Sequence, residues 1–139
     1  MSKLVASIKE AIEKCELRDG MTISFHHHMR NGDYVLNMVL DEIAKMGIKN
    51  LTVNASSIFD VHEPIIGHIK IGVVSGFECN YMGAKVGKAI SEGIMDKPVV
   101  FRSHGGRASD MEKGTSVIDV AFIACLLYTS PSPRDSTSC

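Results

Sequence analysis

Short apolar runs alternate with amphipathic stretches through the first 124 residues, and no other feature narrows the possible folds so far. Leu4, Ile8, Ala11, Ile12 and Cys15 recur at helical spacing over residues 2–17, with Gly20 as a stop signal. Met21-Thr22-Ile23-Ser24-Phe25 follows as a first β-prone run. Asn31-Gly32-Asp33 forms a turn, and Asp33 is the expected N-cap of a helix over 34–46. Leu36, Val39, Leu40, Ile43 and Met46 share one face of that helix, Gly47 ends it, and Met38 and Met46 read as core. The second strand is expected at 51–55. Glu63-Pro64 opens a short helix with Pro64 at its first position. A third strand covers 72–75, a glycine-containing helix 83–92, and a fourth strand 98–102. A weak helix and a fifth strand over 117–123 complete the series. This alternation predicts right-handed βαβ crossovers and an α/β fold, its mainly parallel sheet covered by helices on both faces.

Length and charge remove several function classes. At 139 residues the chain is one domain or part of one, and 45% hydrophobic with 22% charged residues is a globular balance. Fifteen Lys+Arg against sixteen Asp+Glu give a net charge of -1, which excludes a nucleic-acid binder relying on bulk positive charge. Apolar runs all fall short of the roughly 20 residues of a membrane span, and the amino terminus lacks a signal-peptide stretch. A cytoplasmic protein is expected. Cys15, Cys79, Cys125 and Cys139 include no C-x-x-C pair, so reduced structural thiols are expected rather than a zinc or redox site.

Composition breaks after Ala124. From Thr129 to Cys139, eight of eleven residues are Ser, Thr or Pro, without apolar periodicity. Back-translation of Cys-Leu-Leu-Tyr-Thr-Ser-Pro-Ser-Pro-Arg-Asp (125–135) resembles one frame of a transposon-end sequencing adapter. The expected division is therefore a partial domain over 1–124 and a non-native, disordered tail over 125–139. Arg134 and Asp135 cancel, so the charge argument does not depend on the tail.

In parallel α/β sheets ligands bind beyond the carboxyl ends of the strands, which directs attention to the residues after each one. These are His26-His27-His28-Met29-Arg30-Asn31 after the first, Ser56-Ser57 after the second, Gly76 and Asn80-Tyr81 after the third, and Ser103-His104-Gly105-Gly106-Arg107 after the fourth. Four of the six histidines fall there, with Arg30, Arg102 and Arg107. A nearly neutral chain that gathers such groups at one rim is expected to hold a small polyanion. Gly105-Gly106 suits a tight turn whose N–H groups face an anion or developing oxyanion. His26 and His28 could share a metal ion, but no third ligand has suitable spacing and no metal site is assigned. His62 and His68, six apart, read as surface or packing residues. Gly83-Ala84-Lys85-Val86-Gly87-Lys88 is one residue too short between its glycines for a phosphate loop and lacks the terminal hydroxyl. Asp33, Glu78, Glu92 and Asp110 form no evident acid/base pair.

Residues 18–60, from Arg-Asp-Gly-Met-Thr-Ile-Ser-Phe-His-His-His to Leu-Thr-Val-Asn-Ala-Ser-Ser-Ile-Phe, resemble the citrate lyase alpha subunit family, the citrate CoA-transferases. So do Asn80-Tyr81-Met82, the segment 86–93, His104-Gly105-Gly106-Arg107-Ala108 and Ile118-Asp119-Val120-Ala121-Phe122-Ile123-Ala124. The match spans nearly all of 1–124 and a minority of the family's full chain. It implies a truncated CoA-transferase-like fold, with His26, His27 and His28 where related enzymes carry a glycine-rich loop. The catalytic glutamate of better-known CoA-transferases has no counterpart here.

The resemblance implies acyl exchange, in which acetyl thioester on an acyl-carrier subunit and citrate give citryl thioester and acetate. It assigns charge neutralisation to His26, His28, Arg30 and Arg107, and oxyanion donors to His104, Gly105 and Gly106. Ser56, Ser57 and Asn31 would orient substrate. The implied partners are citrate, acetate and the acyl-carrier (gamma) and lyase (beta) subunits, with no nucleic acid and no membrane. No cofactor is expected on the chain itself, the phosphopantetheine-type thioester being carried by the acyl-carrier subunit. Alternative readings are a sugar-phosphate isomerase-like enzyme of a related fold and a metal-binding module built on His26 and His28. The isolated 1–139 fragment is expected to be inactive.

Overall fold

The structure, a computed structural model, describes residues 4–26 and 31–123. Five strands lie among them: β1 (Thr22–His26), β2 (Leu51–Ile58), β3 (Val74–Met82), β4 (Val100–Phe101) and β5 (Val120–Ile123). The helices are α1 (Ile8–Lys14), α2 (Val35–Lys45), α3 (Ile65–Lys70), α4 (Ala84–Ala89) and α5 (His104–Glu112), with a 3-10 turn at Asp60–His62. The sheet order is β4-β3-β2-β1-β5 and every pairing is parallel. The chain steps from β1 outward to β4, then returns to the far side of β1. The strand order therefore reverses at the β1/β5 boundary, where open α/β sheets have their crevice.

Alternation divides each strand into two faces. Ile23, Phe25, Val53, Ala55 and Phe77 are buried in one core with Ile12 of α1, Ile65 and Ile69 of α3 and Val86 of α4. α2 adds Leu36, Val39, Leu40 and Ile43 to that core, whereas α1 buries only Ile12. At roughly 1.5–3 kcal/mol for each fully buried aliphatic side chain, α2 is the dominant apolar cover of the sheet. The opposite face is polar at its centre. Ser24, Asn54 and Glu78 stand in register across three strands, and α5 packs there. The expected cover on both faces thus takes an unequal form, four helices against one.

Several boundaries differ from expectation. α1 begins at Ile8 rather than residue 2, because Ser7 is extended and its side chain accepts from the Glu10 N–H at 3.1 Å. Glu10 in turn accepts from the Ala6 N–H at 2.8 Å, a variant of the capping box. β2 and β3 extend well past their expected ends, since Ser57 pairs with Tyr81 and Ile58 with Met82. Gly76 is inside β3, where the Thr52 hydroxyl lies 3.1 Å from the position a Cβ would take. The helix expected over 83–92 is α4 continued by a π turn over Ile90–Ile94, which Gly93 ends at φ 90°. Tyr34, not Asp33, is the N-cap residue of α2, yet Asp33 Oδ1 does accept from the Val35 N–H at 2.9 Å. Pro64 is one residue earlier than expected, as N-cap of α3. Met38 is half exposed rather than core, while Met46 packs against the core. β5 is confined to its last four expected residues, and the tail over 125–139 lies outside the described residues.

Candidate active site

Two arginines anchor α5 and its approach to the polar face of the sheet. Arg107 Nε donates to Asn54 Oδ1 at 2.6 Å, and its Nη2 donates to Ser24 Oγ at 3.0 Å and to the Asn54 carbonyl at 3.2 Å. Arg102, just after β4, donates from Nε to Asp110 Oδ2 at 2.5 Å, and its Nη1 is 3.2 Å from Glu78 Oε2. Asn54 Nδ2 donates to Glu78 Oε2 at 2.8 Å and to Ser116 Oγ at 3.0 Å, and Ser116 Oγ donates to Glu78 at 2.5 Å. The seam therefore joins β1, β2, β3, α5 and the loop before β5.

Its two guanidinium and two carboxylate charges cancel. The seam itself carries no surplus positive charge for a polyanion, so that charge must come from its margins. Burial pushes the Arg107 guanidinium below its ordinary value, and Glu78 and Cys79 pull it back up. Of its nitrogens, Nη1 has no hydrogen bond among the described residues. Glu78 and Asp110, for which no acid/base pairing was expected, are each ion-paired to Arg102.

His26 is exposed at the carboxyl end of β1, in register with Ile123 of β5, and so stands at the β1/β5 boundary. His28 and Arg30 lie outside the described residues. His104 is the exposed first residue of α5. Gly105 and Gly106 form no separate tight turn, a correction with a local cause. Ser103 is extended and caps α5, its side chain accepting from the Gly106 N–H at 3.0 Å, which draws both glycines into the first helical turn. In this conformation the Gly106 N–H is engaged, leaving the backbone of His104 and Gly105 toward any anion at that helix end.

Ser56 and Ser57 are half-buried within β2 instead of beyond it, and Asn80 is within β3, donating to the Arg102 carbonyl at 3.1 Å. Alternation places Ser56 on the Asn54 face and Ser57 on the other. Asn31 lines a cavity of about 460 Å³ with Phe59, Asp60, Val61 and Tyr81. The Phe59 and Tyr81 rings are tilted at 41° to each other with centroids 5.9 Å apart. His62 and His68 are both buried, so of the two expectations only packing holds, and His68 Nε2 lies 3.0 Å from Asp41 Oδ1.

Sequence reasoning passed over Ser24, Asn54, Ser116, Phe59 and Asp60 as site residues. One signal was present, because Ser24 and Asn54 each interrupt an otherwise apolar strand centre. No group of three or more His, Cys, Asp or Glu able to hold a metal occurs among the described residues. No helix among them is long and apolar enough to cross a membrane.

Cys79 sits beneath the seam on β3. Burial pushes its thiol up from the ordinary 9.0 to about 11, with Arg107 pulling the other way. At pH 8 it is expected to resist alkylation in the folded protein while the exposed Cys15 reacts, as peptide mass spectrometry would read. The sign of the linkage follows. The folded state holds this proton more tightly, so the contribution to stability is complete below pH 9 and declines as pH rises from 9 towards 11.

Comparison with known proteins adds a family to this geometry. The profile of the family "Citrate lyase, alpha subunit" matches residues 1–128. The citrate lyase alpha chain of Haemophilus influenzae is 48% identical over 121 residues, covering 87% of this chain and 24% of that one. The Escherichia coli alpha chain is 47% identical over the same share of both. A Streptococcus mutans protein described as the alpha subunit of citrate lyase, solved in complex with citrate, is 62% identical. It superposes with a TM-score of 0.86 over 88% of this chain and 24% of its own. The chain thus spans about a quarter of the length of the curated relatives it matches.

Proposed function

Since the chain belongs to the citrate lyase alpha subunit family, we propose that it supplies the citrate-holding part of a transferase moving an acyl-carrier thioester from acetate to citrate. The observation that carries this is the likeness to an alpha subunit solved with citrate, at 62% identity and TM-score 0.86. In the exchange, a citrate carboxylate attacks the acetyl thioester carbonyl and expels the carrier thiolate, leaving a mixed citryl–acetyl anhydride. The thiolate then attacks the citryl carbonyl, forming citryl thioester and releasing acetate. No net proton is consumed.

The chemistry calls for neutralisation of a tricarboxylate, donors to two successive oxyanions, and exclusion of water from the anhydride. His26, His28 and Arg30 supply the first. Arg107 adds its remaining Nη1 edge. His104 and the Gly105 N–H serve the oxyanions at the start of α5, where the helix dipole also favours negative charge. Asn31, Ser56 and Ser57 orient the substrate. The thioester arrives on the acyl-carrier subunit, and the lyase subunit consumes the citryl product. The relatives favour this reading over the isomerase-like and metal-module alternatives.

The test uses a full-length alpha subunit carrying these residues, with acetyl-loaded acyl carrier and citrate, and follows release of acetate. His104→Ala is expected to lower the rate roughly a hundredfold, the usual cost of one oxyanion donor. An unchanged rate removes His104 from the mechanism, and absence of citrate-dependent acetate release in the unsubstituted protein removes the transferase reading.

A further inference from the structure

His62 closes the 3-10 turn after β2 and is fully buried. The proposed chemistry does not use it. Both ring nitrogens are engaged by backbone from different segments. Nδ1 accepts from the Phe59 N–H at 3.0 Å, and Nε2 lies 3.0 Å from the Asp33 carbonyl. A nitrogen that accepts from an amide carries no proton, so the ring is neutral and donates from Nε2 to Asp33. His62 thereby ties the segment after β1 to the segment after β2.

Those segments supply two walls of the cavity, Asn31 on one and Phe59, Asp60 and Val61 on the other, with Tyr81 of β3 completing the lining. Gly32 lies against the ring, since a Cβ there would be 2.8 Å from His62 Cε1. From the far side, Asn37 of α2 donates from Nδ2 to the Val61 carbonyl at 2.9 Å. Burial requires both ring nitrogens to be bonded, and the partners they take come from the two facing walls.

We infer that His62 is a positioning residue, holding Asn31 at the fixed distance from the opposite wall that citrate requires. This rests on the functional reading above. In that reading Asn31 is a substrate-orienting group, so loosening its wall is expected to weaken substrate affinity and not folding alone.

Two substitutions separate the two bonds. In His62→Asn the amide oxygen can replace Nδ1 as acceptor from Phe59, but the side chain falls short of Asp33. In His62→Gln the longer amide can still donate to Asp33. In the full-length alpha subunit, His62→Asn is expected to raise the citrate KM about tenfold with kcat within about threefold, and His62→Gln to restore KM to within about threefold. Adding His62→Asn to Asn31→Ala should change KM no further than Asn31→Ala alone, because the two act as one unit.

Additive effects of the pair, equal KM values for the two His62 variants, or a fall in melting temperature with KM unchanged would each overturn the inference. Should His62→Asn fail to fold, Asn37→Leu loosens the same wall. It is expected to raise KM at least about threefold, and an unchanged KM counts against the inference. Loss of citrate-dependent transfer in the unsubstituted protein would instead indict the functional reading, so the two failures are distinguishable.

Discussion

Arg107→Met in a full-length alpha subunit is expected to remove most transfer activity and to cost roughly 2–4 kcal/mol of stability. The guanidinium joins α5 to two strands through Asn54 Oδ1, the Asn54 carbonyl and Ser24 Oγ. Its loss leaves Asn54 Oδ1 and Ser24 Oγ without that donor and Glu78 with one fewer positive charge nearby. Arg107→Lys should rescue little, because one ammonium cannot reproduce a planar fork that reaches two residues. Calorimetric unfolding gives the first quantity and acetate release the second.

A compensated variant separates structure from chemistry. Combining Arg107→Met with Ser24→Ala removes one partner together with the donor and keeps the bonds of Asn54 Nδ2 to Glu78 and Ser116, which is less costly than orphaning both oxygens. Stability should recover in part while transfer does not. Recovery of both would mean that Arg107 serves only to hold α5 on the sheet.

Gly32→Ala should have the second large effect. Gly32 has φ +84°, a left-handed conformation that costs an L-residue about 1–2 kcal/mol. Its added Cβ would also lie 2.8 Å from His62 Cε1 and 2.9 Å from Phe59 Cδ2. Gly47 provides the control, because it shares the backbone conformation at φ +77° with nothing within 4 Å of its Cβ position. Gly47→Ala therefore reports backbone strain alone. Gly32→Ala should destabilise by about 1–3 kcal/mol more, from displaced neighbours, and should weaken citrate binding, whereas Gly47→Ala should leave binding unchanged. Equal melting shifts for the two variants would remove the crowding argument.

The apolar period of α2 was readable directly, because Leu36, Val39, Leu40 and Ile43 repeat at helical spacing and that spacing is a local property. So was the succession of strands and helices, which determines a parallel sheet by limiting how the chain can reconnect. The residue motifs that resemble the citrate lyase alpha family were likewise legible in one dimension, and the family match covers 128 residues. The candidate strand-end residues came from that order, although two of the strands proved longer than their apolar runs.

What sequence spacing could not decide was which polar groups meet. Ser24, Asn54 and Glu78 come from three strands and Arg102, Arg107 and Ser116 from a later stretch of chain, and their pairing depends on strand register and on the face that α5 covers. The same is true of His62, whose two partners come from loops after different strands. Backbone periodicity is encoded within a turn or two of chain, so the sequence alone determined the layers of this protein. Hydrogen-bond partnership across a sheet exists only once the strands are aligned, so only the tertiary structure decided which polar groups Arg107 and Arg102 meet and which two loops His62 joins.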